Sequence, residues 1–142
     1  MTAIGSYDVY LFDTGVMRAL ANTLTVELHP QTYAFGVAFE HFVLHEIWRL
    51  ASYQGKDYQF SYLRTQAGVE VDLVVERPGE KLALVEVKST ESVREDDVRS
   101  LAQIGTDVPD AAAFCLSLDR VARKIGNVMC LPWWDGVKAL GL

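Results

Sequence analysis

Val69-Glu70-Val71-Asp72-Leu73-Val74-Val75-Glu76, followed after a short gap by Leu82-Ala83-Leu84-Val85-Glu86-Val87-Lys88, decides how the chain is read. Both stretches are apolar and β-branched enough to be strands, yet each carries acids inside the apolar run. Arg77-Pro78-Gly79-Glu80 between them has turn chemistry, so the two form a hairpin. Side chains alternate along a strand, which puts Glu70, Asp72, Val74 and Glu76 on one face, and Leu82, Leu84, Glu86 and Lys88 on one face of the partner. A five-residue loop sets Asp72 opposite Glu86 and Glu70 opposite Lys88, and a three-residue loop makes the same residues diagonal neighbours. In either register the Cβ atoms of Asp72 and Glu86 lie about 5 to 8 Å apart.

Upstream, residues 33–51 repeat Phe35, Phe39, Phe42, Val43, Ile47 and Leu50 at three- and four-residue spacing, the pattern of a long helix packed on a sheet. A strand over 58–64 and the turn Thr65-Gln66-Ala67-Gly68 lead into the hairpin. Ser92-Val93-Arg94-Glu95 matches a capping box and predicts a helix over 93–104 that stops at Gly105, with Glu95-Asp96-Asp97 complementing its dipole. Two buried strands over 112–118 and 127–131 and a short helix over 134–140 follow. Near the start, 7–12 reads as extended, and Asp13-Thr14-Gly15 as a turn capping a small helix through Leu20. The core order is αβββαβ, an α/β (α+β) class with a mixed β-sheet flanked by helices. One domain over 1–142, with its core at about 33–118, is expected.

The 142 residues are half apolar and 11% aromatic with a net charge of −6, which excludes disorder. No stretch approaches the ~18 continuous apolar residues of a membrane span, and the first residues lack the basic start and apolar run of a signal peptide, so a cytoplasmic location is expected. Cys115 and Cys130 sit in apolar runs without CxxC spacing and read as small core hydrophobes. Neither half of the chain offers a basic face, which argues against tight nucleic-acid binding by charge alone.

Two carboxylates as close as Asp72 and Glu86 repel, and without a compensating positive charge one must take up a proton. A hard divalent cation, Mg²⁺ or Mn²⁺, removes the conflict by taking both as ligands, with waters and phosphate oxygens completing its shell. Lys88, two residues beyond Glu86, would stand beside the ion, to orient or help deprotonate a nucleophile or to steady charge on phosphorus. Glu40 shares its helix stripe with Gly36, Phe39, Val43, Leu44 and Ile47, where a carboxylate needs an internal partner. A helix laid on the acidic sheet face would bring it in as a third ligand or a supporting contact.

The ordered set Glu40, Asp72 and Glu86-Val87-Lys88 resembles the core of the PD-(D/E)xK, or restriction-endonuclease-like, nuclease superfamily. More narrowly, Tyr10-Leu11-Phe12-Asp13-Thr14-Gly15, the stretch over 36–40, Arg64-Thr65 and the stretch over 68–73 are similar to a domain-of-unknown-function family found C-terminal to AAA-type ATPases. The resemblance spans about 7–131. It implies a restriction-endonuclease-like core, metal ligation by Asp72 and Glu86, Lys88 as catalytic amine and Glu40 as auxiliary acid. The implied activity is phosphodiester cleavage in DNA by a metal-activated water. Glu70 and Arg64 match the narrower pattern, Glu70 also reading as an ion-pair partner of Lys88, and Gln103 matches a supporting Gln of some related nucleases. The chain has no G-x-x-x-x-G-K-[ST], so an ATPase would be a separate partner. That absence and the acidic charge support the alternative, a non-catalytic interaction module accessory to such an ATPase.

His41 and His45 have the spacing of a zinc-binding pair but lack the Glu a zinc protease needs after the first His, and read as partly buried histidines. Trp133-Trp134 reads as core packing, with base stacking or a partner contact as the other use. That pair or an exposed sheet edge is where a homodimer would form.

Overall fold

The structure is a computed structural model and describes residues 14–142. The expected extended run over 7–12 and the first turn residue Asp13 lie outside the described residues. The described elements are α1 (Thr14–Leu20), α2 (Tyr33–Tyr53), β1 (Gln59–Arg64), β2 (Glu70–Glu76), β3 (Leu82–Lys88), α3 (Glu95–Asp107), β4 (Ala111–Ser117), β5 (Arg123–Ile125), β6 (Val128–Pro132) and α4 (Trp133–Ala139). The strands form one mixed sheet in the order β1-β2-β3-β4-β6-β5, in which β3, β4 and β6 run parallel and the other neighbours antiparallel. The three-residue β5 was too short to leave a period in the sequence. Among the described residues no helix is long and apolar enough to cross a membrane.

Helix α2 begins where Thr32, in extended conformation, accepts the Phe35 N–H on its side chain. Its Phe39, Val43, Leu44 and Ile47 pack with Val75, Ala83, Val85 and Val87 of the sheet and with Val137 of α4. Helix α3 covers the opposite face, where Val98, Leu101 and Ile104 meet Val71, Val74, Leu84, Cys115 and Cys130. Both cysteines are free and buried, as small hydrophobes should be.

Two features of α3 depart from expectation. The cap falls two residues later than Ser92-Val93-Arg94-Glu95 and is one-sided: the Asp97 carboxylate accepts the Arg94 N–H at 2.8 Å, while the Arg94 side chain has no oxygen to return the bond. Asp119, from the loop after β4, accepts the Val93 N–H, so residue 93 is held outside the helix. Nor does Gly105 end α3, which runs on to Asp107. Glycine is used there for closeness, since a Cβ would lie 3.2 Å from Ala113 Cβ.

The hairpin has the five-residue form. Arg77 C=O accepts the Glu80 N–H at 3.0 Å, and Gly79 has φ of 80°, a type II turn with Pro78 at its second position. Leu73 pairs with Val85, Val74 with Leu84 and Val75 with Ala83, which extrapolates to Asp72 opposite Glu86. On the other side of β2 the pairing slips: Ser61 faces Val74 but Leu63 faces Val71, so β2 carries one extra residue at Asp72-Leu73. The bulge undoes the shared face expected for the acids. Val71 and Val74 both face α3, Leu73 faces α2, and the alternation from Val71 puts Asp72 on the α2 side while Glu86, next to Val85 and Val87, faces α3.

Helix α4 lies so close on β4 that only glycine fits at its position 136. A Cβ at Gly136 would fall 1.9 Å from Leu116 Cδ2, and Leu116 is fully buried. Gly136→Ala should therefore cost about 1 to 3 kcal/mol despite alanine's better helix propensity. A urea melt of the variant against wild type checks this.

Candidate functional site

Asp72, Glu86 and Lys88 meet where β2 and β3 part company. After Val85 the β2–β3 ladder ends, while β3 stays paired with β4 as far as Lys88 opposite Ser117. The Asp72 side chain enters the gap, its Oδ2 accepting the Val87 N–H at 2.8 Å in place of a ladder bond. From there it interacts electrostatically with Glu40 of α2 and with Glu86 and Lys88 of β3.

Glu40 thus reaches Asp72 by a different route from the one expected. Helix α2 covers the face carrying Val75, Val85 and Val87, opposite to Glu86, and it is the bulge that turns Asp72 to the α2 side. Approach of α2 is aided at Gly36, one turn before Glu40, where a Cβ would stand 3.3 Å from Ser89 Oγ.

Glu86 and Lys88 are two apart on one side of β3, and Lys88 Nζ contacts Glu86 Oε1 at 2.6 Å. The Glu86 side chain is only 12% exposed, and its second oxygen, Oε2, is buried without a hydrogen-bond donor. An oxygen left in that state costs about 1 to 3 kcal/mol, more if charged. Burial first, then the charges of Glu40 and Glu86, push the Asp72 carboxyl up to about 7, against the opposing Val87 bond and Lys88. Burial pulls the Lys88 ammonium down, but its hydrogen bond and charge contact with Glu86, and then Asp72, hold it above its ordinary value. Lys88 is therefore a cation at neutral pH.

The chemistry of this set fits a hard divalent cation: carboxylate oxygens, one of them buried and without a donor, on groups that repel one another. Among the described residues no cluster of three or more His, Cys, Asp or Glu side chains is gathered closely enough to hold an ion by protein ligands alone. Waters and phosphate oxygens would have to complete the shell, as they do around Mg²⁺.

One match to a known family covers residues 35–135, to the model described as Domain of unknown function (DUF4143). The chain belongs to the DUF4143 family. No curated protein and no solved structure matches it.

Other residues singled out in the sequence of this DUF4143 domain lie apart from Asp72. Glu70 pairs with Arg64 across β1–β2 at 3.1 Å rather than with Lys88, because β3 has left β2 by that point. Gln103 donates to Asp107 on the exposed side of α3. His41 is buried and stacks on His45, with ring centroids 5.2 Å apart, and His45 meets the Trp48 ring edge-on. Trp133 packs into the core against Phe42 at 5.1 Å, while Trp134 remains half-exposed. Two contributors had no signal in the sequence: the Val87 N–H, a backbone group, and Asp119, which ties the loop after β4 to Val93 and Arg123.

The raised Asp72 carboxyl fixes a pH dependence. Between its ordinary value near 3.8 and about 7 the folded chain holds a proton that the unfolded chain has released, so this group's contribution to stability declines as pH rises through that window. Asp72→Asn can keep the Val87 bond without the charge. It should gain on wild type in urea midpoint when both are compared at about pH 8 rather than about pH 4.

Proposed function

We propose that the domain is a metal-dependent phosphodiesterase with a restriction-endonuclease-like core that cleaves DNA, using Mg²⁺ or Mn²⁺. The observation that carries the reading is the junction of β2 and β3: Asp72 inserted between the strands, Glu86 with a buried unpartnered oxygen, and Lys88 held as a cation beside it. The ordered resemblance of Glu40, Asp72 and Glu86-Val87-Lys88 to PD-(D/E)xK nucleases supports it further.

When bound, a divalent cation lowers the pKa of water and offsets charge on phosphate oxygens. Asp72 and Glu86 would hold it, Asp72 giving up its proton as it does so. The Val87 N–H fixes the Asp72 carboxylate through Oδ2, leaving Oδ1 for ligation. Glu40 raises the energy of the ionised Asp72 and so strengthens its demand for a cation. Lys88, being protonated, suits charge stabilisation at the scissile phosphate better than proton abstraction. A phosphate entering the site would compete with Glu86 for the ammonium.

The same Lys88–Glu86 contact favours a second reading, an interaction module that docks to a separate ATPase and does no chemistry, in which the pair simply closes the site. Calorimetric titration of Mn²⁺ with hydrolysis of bis(p-nitrophenyl) phosphate separates the two. The enzyme reading expects saturable Mn²⁺ binding that strengthens as pH rises through about 7 and is lost in Asp72→Ala. It expects metal-dependent hydrolysis that falls roughly 10²-fold or more in Lys88→Ala. Absence of both binding and hydrolysis in folded wild type selects the docking module.

A further inference from the structure

Three of the 13 lysines and arginines of this acidic chain come to one end of the sheet. Strands β3 and β4 are parallel and in register, so both end at the same edge, with Lys88 beside Ser117 at a strand spacing of about 4.8 Å. The loops that follow, 89–94 and 118–122, are bonded to each other. Leu118 N–H donates to Thr90 C=O at 3.0 Å, and Val93 N–H donates to the Asp119 carboxylate at 3.2 Å. Arg94 and Arg120 are the next residues on either side of that second bond, and both are exposed. Arg123 is ion-paired to the same Asp119, which anchors the second loop from its far side.

Three cations, Lys88, Arg94 and Arg120, therefore share one rim, although they are up to 32 residues apart in the chain. Several of the acids nearby are engaged. Asp119 holds Val93 and Arg123, Asp97 caps Arg94, and Asp96 pairs with Arg99. Exposed Glu91 and Glu95 are the acids that oppose the rim. Neither Arg94 nor Arg120 makes an ion pair among the described residues. Exposed guanidinium groups beside a metal-type site suit phosphate oxygens, which they can meet bidentately.

We infer that this rim, Arg94 and Arg120 together with Lys88, holds the sugar-phosphate backbone of a DNA substrate next to the phosphate at Asp72 and Glu86. The inference rests on the phosphodiesterase reading and names its substrate-binding surface. Lys88 serves the reacting phosphate, and the two arginines serve its neighbours as positioning residues. The surface is short and opposed by acids, so affinity is modest and strongly dependent on salt.

Fluorescence anisotropy of a short labelled DNA duplex, in EDTA and again in Ca²⁺, tests it. Arg94→Ala/Arg120→Ala should bind roughly tenfold more weakly than wild type, with the slope of log affinity against log salt reduced by about 2. Arg94→Lys/Arg120→Lys should recover much of the loss, and Glu91→Gln/Glu95→Gln should tighten binding. Equal duplex affinity and salt slope in wild type and the double alanine variant overturn the rim, as does wild type that binds no duplex in either condition. Rim-dependent binding without hydrolysis of the small diester leaves the rim standing and removes the catalytic reading instead.

Discussion

The hydrogen bond from Val87 N–H to the Asp72 carboxylate is the contact on which the rest of the arrangement turns. A backbone donor at the end of a ladder must find an acceptor. Here β2 bulges at Asp72-Leu73 and β3 continues with β4, so the acceptor is a side chain. That choice draws a carboxylate into the sheet, within reach of two other carboxylates, Glu40 and Glu86, and of one ammonium. An aliphatic residue at 72 would leave the Val87 donor unmatched, while an asparagine would match it and abolish the charge.

Around this contact the fold supplies constraint rather than chemistry. Helix α2 locks one face of the sheet through Val43 and Ile47, which have no exposed surface, and α3 locks the other through Val98 and Leu101. Between them the strand ends are held in register well enough that Lys88, Ser117 and Pro132 terminate together. Polar groups accumulate at that edge because it is where three parallel strands stop and backbone must turn to solvent, the place where α/β sheets commonly put their sites.

Much of this was legible in the sequence. Hydrophobic period alone located α2, β1, β2, β3 and β4, and Arg77-Pro78-Gly79-Glu80 marked the turn between β2 and β3, but two loop lengths and so two registers stayed open until the paired strands chose the five-residue form. What escaped were features set by tertiary contact. The bulge at Asp72-Leu73 leaves Val71 and Val74 both apolar and so cannot be told from a regular strand by pattern. The cap of α3 shifted from Ser92 to Arg94 because Asp119, 26 residues away in the chain, claims the Val93 N–H. The edge strand β5 is three residues long, and Gly105 looks like a helix stop until its neighbour Ala113 is known. Even charge along the chain likewise says nothing of the Val93–Asp119 bond that brings the loops carrying Arg94 and Arg120 together.

Asp72 is held in a state which only a proton or a metal cation relieves. Following the Asp72 side-chain carboxyl by carbon-13 NMR across a pH titration, without and with Mg²⁺, tests it most directly. A midpoint near 7 is expected in metal-free protein, shifted to lower pH by Mg²⁺ as the ion displaces the proton. A midpoint near 4, the same with and without Mg²⁺, would contradict it.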